Sequence, residues 1–186
     1  MKEELEVHEE HKHQALKKTN IALIVVSTSR YNEIISEKKS SDKTIPKVKL
    51  LLKKDPSIAL VYTEIIPDSE KHINEVLVRV MKDEIIDSII FSGGTGLSPK
   101  DITYETLEPC LQKKFDGFGE LFRSLSFNEI GSAAMLSRAT AGIINDKRRN
   151  KSIFLLPGSP NAVILALKSI IIPELGHIQY LINKEE

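Results

Sequence analysis

The stretch IDSIIFSGGTGLSPKDIT, residues 86–103, decides the fold. Its first half, Ile86 to Ser92, is a short apolar run of the kind buried on both faces in a parallel sheet. The run stops at Gly93, Gly94 and Gly96, with only Thr95 between them. Glycine permits positive φ and lets backbone N–H groups converge on an anion. One glycine suffices for a tight strand-to-helix turn, so three in four positions favour an anion cradle over a plain turn. Ser92 and Thr95 add hydroxyls, and Lys100 adds positive charge. The loop has neither the Gly-Lys-Ser/Thr of a Walker loop nor the Gly-x-Gly-x-x-Gly dinucleotide fingerprint. Any phosphate is therefore held in another way.

Working outward, IALIVVS (residues 21–27) reads as a strand buried on both faces, and residues 58–66 as another, closed by Pro67. Residues 28–43 read as a polar loop leading to a helix over 43–54, with Val48, Leu51 and Leu52 on one face. Ile73, Val76, Leu77 and Val80 recur at helical spacing in residues 70–83, where Asp68 or Ser69 can cap. A third helix is expected over 104–113, and residues 123–134 carry no clear pattern. Residues 136–144 and 152–156 read as strands joined by the polar turn NDKRRNK, before a helix over 161–171 and a short terminal one. Strands alternating with helices imply parallel pairing and right-handed crossovers. The expected fold is α/β: a doubly wound, mostly parallel sheet with helices on both faces, in three layers. One domain would span residues 20–182, behind a charged tail over 1–19. Ligands of such sheets sit beyond the carboxyl ends of the strands, at the switch in strand order. STSR (27–30), IPD (66–68), SGGTG (92–96) and PGSP (157–160) all fall there.

Composition narrows the class. Lysine plus arginine balance aspartate plus glutamate, 26 against 26, so net charge gives no reason to expect nucleic acid or an anionic membrane. Lys168 and Pro173 interrupt the longest apolar run before the roughly 18 residues a bilayer requires. The charged start MKEELEVHEEHKHQ is unlike a secretion signal. A single cysteine, Cys110, excludes an internal disulfide, fits a reducing cytoplasm and is expected to be buried as a small hydrophobe. His8, His11 and His13 lack the spacing that puts two imidazoles on one helical face, so a solvated tail is the expectation.

Two carboxylates stand out. Asp101 follows the glycine loop and Asp68 follows the second strand, both on the expected ligand edge. Each could cap a helix. Together beside a polyphosphate they would make a Mg²⁺ site, because Mg²⁺ usually takes one or two carboxylates plus phosphate oxygens. In PGSP, Gly158 permits close approach and Ser159 can donate, beside the free N–H groups of the next helix; a plain connection is the alternative. Ser137 and Arg138 would begin the fourth strand, with Arg138 facing either a surface acid or a phosphate. Glu120 and Arg123 read as a surface i,i+3 pair.

These segments, in order, closely resemble the MoaB/Mog family of molybdopterin-binding proteins. The resemblance rests on SGGTGLSPKDIT from Ser92, GFGELFR from Gly117, LSRA from Leu136 and LPGSPNAV from Leu156, and covers roughly residues 20–178. LFRSLSFNEIG leans toward the MoaB branch. The resemblance implies a homo-oligomer, trimeric or hexameric, and transfer of AMP from ATP to the terminal phosphate of molybdopterin. It puts the essential acids at Asp68 and Asp101, which would also organise Mg²⁺. It implies a binding role for Ser92, Gly93, Gly94, Thr95, Gly96, Ser98, Lys100, Thr103, Ser137, Arg138, Pro157, Gly158 and Ser159. Two departures stand against it. Thr28 replaces the usual Asp or Asn, and Ser40-Ser41-Asp42 replaces Thr-Ser-Gly, so Ser27 to Arg30 are set aside as ligands. A non-catalytic pterin carrier, or a CinA-like domain acting on pyridine nucleotides, are the competing expectations.

Overall fold

The structure, a computed structural model, describes residues 18–145 and 149–184. The histidine-bearing part of the N-terminal tail and the centre of the NDKRRNK turn lie outside the described residues. Six strands, β1 (Thr19–Val26), β2 (Ile58–Ile66), β3 (Ser88–Ser92), β4 (Lys113–Lys114), β5 (Thr140–Asn145) and β6 (Asn150–Leu156), form one sheet in the order β2-β1-β3-β6-β5-β4. The first four in that order run parallel, while β4 and β5 are antiparallel to their neighbours. The sheet is mostly parallel, as expected, and turns antiparallel at one edge, where the short connection between β5 and β6 permits only a hairpin.

Alternation along the central strands builds two cores. Ile21, Leu23, Ile90, Phe154 and Leu156 face one side; Ala22, Ile24, Val26, Phe91, Ile153 and Leu155 face the other. Burying each of these side chains other than Ala22 contributes about 1.5–3 kcal/mol. Helices α2 (Thr44–Leu52), α5 (Asp116–Ile130), α6 (Pro160–Ala166) and α7 (Ile172–Asn183) supply residues to the first core, and α3 (Glu70–Lys82) and α4 (Thr103–Leu107) to the second. Ile73, Val76, Leu77 and Val80 of α3 are all buried, as their spacing predicts.

Several local readings change. The polar stretch after β1 contains a helix, α1 (Thr28–Ile35), that buries no residue and so leaves no apolar stripe to detect. The unclear segment is α5, ended at Gly131, whose φ of 62° suits glycine, and followed by a 3-10 turn over Gly131–Leu136. Ser137 and Arg138 therefore precede β5 instead of opening it. The third helix is short, giving way to a 3-10 turn over Glu108–Cys110. Cys110 is exposed, contrary to its residue type, because that turn lies on the surface. Lys151 belongs to β6 and is buried, donating from Nζ to the carbonyls of Val80 (2.8 Å) and Asp83 (2.5 Å). A cation there meets the carbonyl end of α3.

Lys168 and Pro173 do not break the last helical run. A π turn over Leu167–Ile171 joins α6 to α7 and absorbs the proline, which would otherwise clash with the preceding turn. By length and composition alone the resulting helix, Pro160–Asn183, could cross a membrane. Here Val163, Ala166, Leu167, Ile171 and Leu175 are buried in the core on the sheet.

Candidate functional site

Strand order switches direction at β1, which lies between β2 and β3. The chain leaves β1, β2, β3 and β6 on the same edge, and there a cleft of about 790 Å³ opens. Ser27, Asp68, the glycine loop and Pro157 to Ser159 line it, together with Asp101 and Arg138. The four suspected loops thus meet at one place.

The glycines are there for space as well as conformation. A Cβ on Gly93 would stand 2.2 Å from the Val26 carbonyl oxygen, and its φ is 108°. On Gly94, at φ 64°, a Cβ would stand 2.2 Å from Thr103 Oγ1 and 3.0 Å from Asp68 Oδ1. On Gly96 it would stand 2.7 Å from Asp101 Oδ2. The two carboxylates therefore pack against one glycine loop, Asp68 at Gly94 and Asp101 at Gly96, and both face the same cleft.

Each acid is anchored through one oxygen. Asp68 Oδ2 accepts the Thr28 N–H at 2.9 Å and the Thr28 hydroxyl at 3.0 Å, while the Asp68 N–H donates to that hydroxyl oxygen at 3.0 Å. Asp68 therefore stabilises the start of α1, and Ser69 occupies the cap of α3 without a side-chain bond. Asp101 Oδ2 accepts the Ser98 N–H at 3.2 Å. Oδ1 of each acid has no hydrogen-bond partner among the described residues.

The amides divide in the same way. Gly93 N–H is taken by the Leu156 carbonyl at 3.0 Å, so it belongs to the fold and is not offered to a ligand. The N–H groups of Gly94, Thr95 and Gly96 are bonded to no other described residue. Ser92 is fully buried and donates to the Pro157 carbonyl at 3.1 Å, tying the two loops together instead of lining the cleft. Thr103 is buried behind Gly94 and donates its N–H to the Gly94 carbonyl at 2.8 Å. The Ser98 hydroxyl accepts the Lys100 N–H, and Ser98 does not reach the cleft. Lys100 is absent from the main cleft and borders a smaller hollow with Ser27, Thr28, Ser29 and Asp68. Ser137, Gly158 and Ser159 line the main cleft.

Arg138 also lines the cleft, but its guanidinium faces the loop's backbone. Nε donates to the Thr95 carbonyl at 3.0 Å and Nη2 to the Gly96 carbonyl at 2.5 Å. Nη1 pairs with Glu105, and the group lies over the Tyr104 ring at 4.8 Å. The Arg138 hydrogen bond holds the Glu105 carboxyl below its ordinary value.

Sequence reading missed part of the lining. Ser27, Ser29 and Arg30, set aside as ligands, belong to it, as do Phe122, Ser126, Ile130 and Leu136. The detectable signal was GFGELFR: a Cβ on Gly119 would stand 2.8 Å from the Ala139 carbonyl, so that glycine brings α5 against the entry to β5. Arg123 lies against the same glycine and donates to the Ser137 carbonyl at 3.4 Å, instead of pairing with Glu120 on the surface. Asp42 stands where the glycine was expected and is itself held in the loop, its carboxylate accepting the Thr44 N–H at 3.1 Å and the Ile45 N–H at 2.9 Å, while Glu33 accepts the N–H and hydroxyl of Ser41.

Residues 22–177 match the family described as a probable molybdopterin binding domain. A protein of Methanocaldococcus jannaschii named probable molybdopterin adenylyltransferase is 43% identical over 166 residues, covering 89% of this chain and 95% of its own length. Molybdenum cofactor biosynthesis protein B of Bacillus subtilis is 36% identical over 179 residues, covering 96% and 98%. The crystal structure of the tungsten cofactor synthesizing protein MoaB from Pyrococcus furiosus superposes with a TM-score of 0.77 at 36% identity, covering 89% of this chain and 98% of that one. The chain belongs to the molybdopterin-binding domain family.

Proposed function

We propose that this chain acts in molybdenum-cofactor biosynthesis as an adenylyltransferase, the activity for which its Methanocaldococcus relative is named. The observation that carries this reading is the convergence of Asp68 and Asp101 on one glycine loop with unbonded amides. The substrates are molybdopterin and ATP. An oxygen of the molybdopterin phosphate attacks the α-phosphorus of ATP, the bond to the bridging β-oxygen breaks, and pyrophosphate leaves. The attacking phosphate monoester has a second pKa of about 6, so it is largely ionised at neutral pH and needs no general base. Binding two polyanions side by side is the harder task, and it calls for neutralised charge and in-line placement.

The residues suit that task. The amides of Gly94, Thr95 and Gly96 offer donors without adding bulk, and the apolar wall of Phe122, Ile130 and Leu136 fits a flat heterocycle. Asp68 and Asp101 supply hard oxygens suited to Mg²⁺. No group of three or more His, Cys, Asp or Glu residues converges among the described residues, so phosphate oxygens and water would complete the shell. When bound, Mg²⁺ would offset the charge that develops between attacking and leaving oxygens.

Exposed Leu121, Phe127 and Met135 suit contact between copies in a homo-oligomer, trimeric or hexameric, which sedimentation would size. A chain with one cysteine suits a reducing cytoplasm. Incubation with ATP, Mg²⁺ and molybdopterin tests the activity: pyrophosphate and adenylylated molybdopterin should appear together and depend on Mg²⁺. Molybdopterin binding by folded protein without pyrophosphate release would make the chain a carrier instead.

A further inference from the structure

We propose that Arg138 and Glu105 form a positioning clamp that fixes the amides of the glycine loop, and that Arg138 does not itself grip a substrate phosphate. The proposal rests on the adenylylation reading for its consequence, but its geometry stands in the ligand-free chain. A guanidinium has five N–H donors. In Arg138, Nε holds the Thr95 carbonyl, Nη2 holds both the Gly96 carbonyl and Glu105 Oε2, and Nη1 holds Glu105 Oε1. One N–H remains.

The consequence follows from peptide planarity. In a trans peptide the carbonyl of one residue and the N–H of the next point in opposite directions. Holding the Thr95 carbonyl thus sets the direction of the Gly96 N–H, and holding the Gly96 carbonyl sets that of Leu97. The Thr103 N–H holds the Gly94 carbonyl and sets Thr95 likewise. Three consecutive peptide planes are oriented by donors to their carbonyls. Gly94 and Gly96 need such support, since glycine is the residue most free to turn. Glu105 and the Tyr104 ring hold the guanidinium in turn, and both come from α4, the helix that the glycine loop leads into. Arg138, on the approach to β5, thereby ties the glycine loop to α4.

Glu105→Gln separates the two roles. A phosphate-gripping Arg138 would be released by this change and would bind ATP more tightly. A clamp would weaken, lowering kcat about tenfold while KM for ATP stays within about twofold, as expected when donors are misaligned at the transition state. Arg138→Lys keeps the charge but loses the planar fork, and should fall as far as Arg138→Ala. Backbone order parameters of Gly96 and Leu97 from 15N relaxation of the free protein should fall in both Glu105→Gln and Arg138→Lys. A lower KM for ATP in Glu105→Gln, parental kcat in Arg138→Lys, or unchanged order parameters at both amides would overturn the clamp. If the parent protein releases no pyrophosphate, the adenylylation reading fails, and the order parameters alone still decide whether the clamp exists.

Discussion

At the amino ends of the parallel strands, polar side chains are paired with one another. Gln179 donates to the Asp87 carbonyl at 3.0 Å and to Ser152 Oγ at 2.9 Å, Ser152 donates to Ser88 Oγ at 2.8 Å, and the Asp87 carboxylate accepts from Asn20 N–H and Arg149. At the carboxyl ends of the same strands the pattern reverses. Carbonyls are held from behind, amides of Gly94, Thr95 and Gly96 are left over, and two carboxylates each keep an oxygen unbonded. One sheet thus carries a closed polar network at one end and an open one at the other. Closure serves stability, since an unmade buried hydrogen bond costs about 1–3 kcal/mol. Openness leaves those groups to a ligand.

Substitutions at the two ends should separate stability from turnover. Gly93→Ala, at the open end, would force a Cβ to 2.2 Å from the Val26 carbonyl at a φ of 108°. We expect a loss of about 3–4 kcal/mol in urea unfolding, with the cleft deformed as well. Lys151→Met, at the closed end, leaves the Val80 and Asp83 carbonyls without their cation. It should cost about 2–3 kcal/mol while kcat stays within about twofold. Gln179→Leu should cost about 1–2 kcal/mol, again with turnover unchanged. Parental kcat in Gly93→Ala would break the comparison, as would a fall in kcat from either closed-end change.

Acidity gives the mildest perturbation. Arg138 holds the Glu105 carboxyl below its ordinary 4.5. A depressed carboxylate stabilises the fold fully above its unfolded value, and that contribution disappears as pH falls through the lower, folded value. Between pH 7 and about 5 the clamp should therefore keep its strength, and it should weaken only below pH 4.5. The midpoint of urea unfolding, followed against pH in parent and Glu105→Gln, should converge at the acid end. Parallel curves across the whole range would show that the pair adds nothing.

What the sequence revealed depended on the kind of signal. Periodicity exposed the central strands and α3, because burial on both faces or on one stripe leaves an apolar record. Glycine clustering located the cleft, since Gly93 and Gly94 occupy positions where a side chain would collide with backbone or with Asp68 and Thr103. Helix α1 went unseen because nothing in it is buried, and its start depends on Asp68, 40 residues away. The direction in which Ser92, Thr103 and Arg138 point was equally invisible. Each is held by a partner distant in sequence or on a neighbouring turn, and residue type alone does not tell a ligand from a brace. Lys151 was hidden in a polar run because its burial rests on the end of α3, about 70 residues earlier.

Pyrophosphate release by Asp101→Asn, beside the parent and with molybdopterin affinity measured in the same preparations, puts the central claim at risk most directly. Removing one of the two acids that face the glycine loop should lower turnover by about a hundredfold or more, with pterin affinity nearly unchanged, because the carboxylate would act by holding Mg²⁺ against developing charge and not through ground-state binding of the pterin. Turnover at the parental rate would mean that the paired carboxylates do not organise the reaction, and the account of the open end as a catalytic site would be wrong.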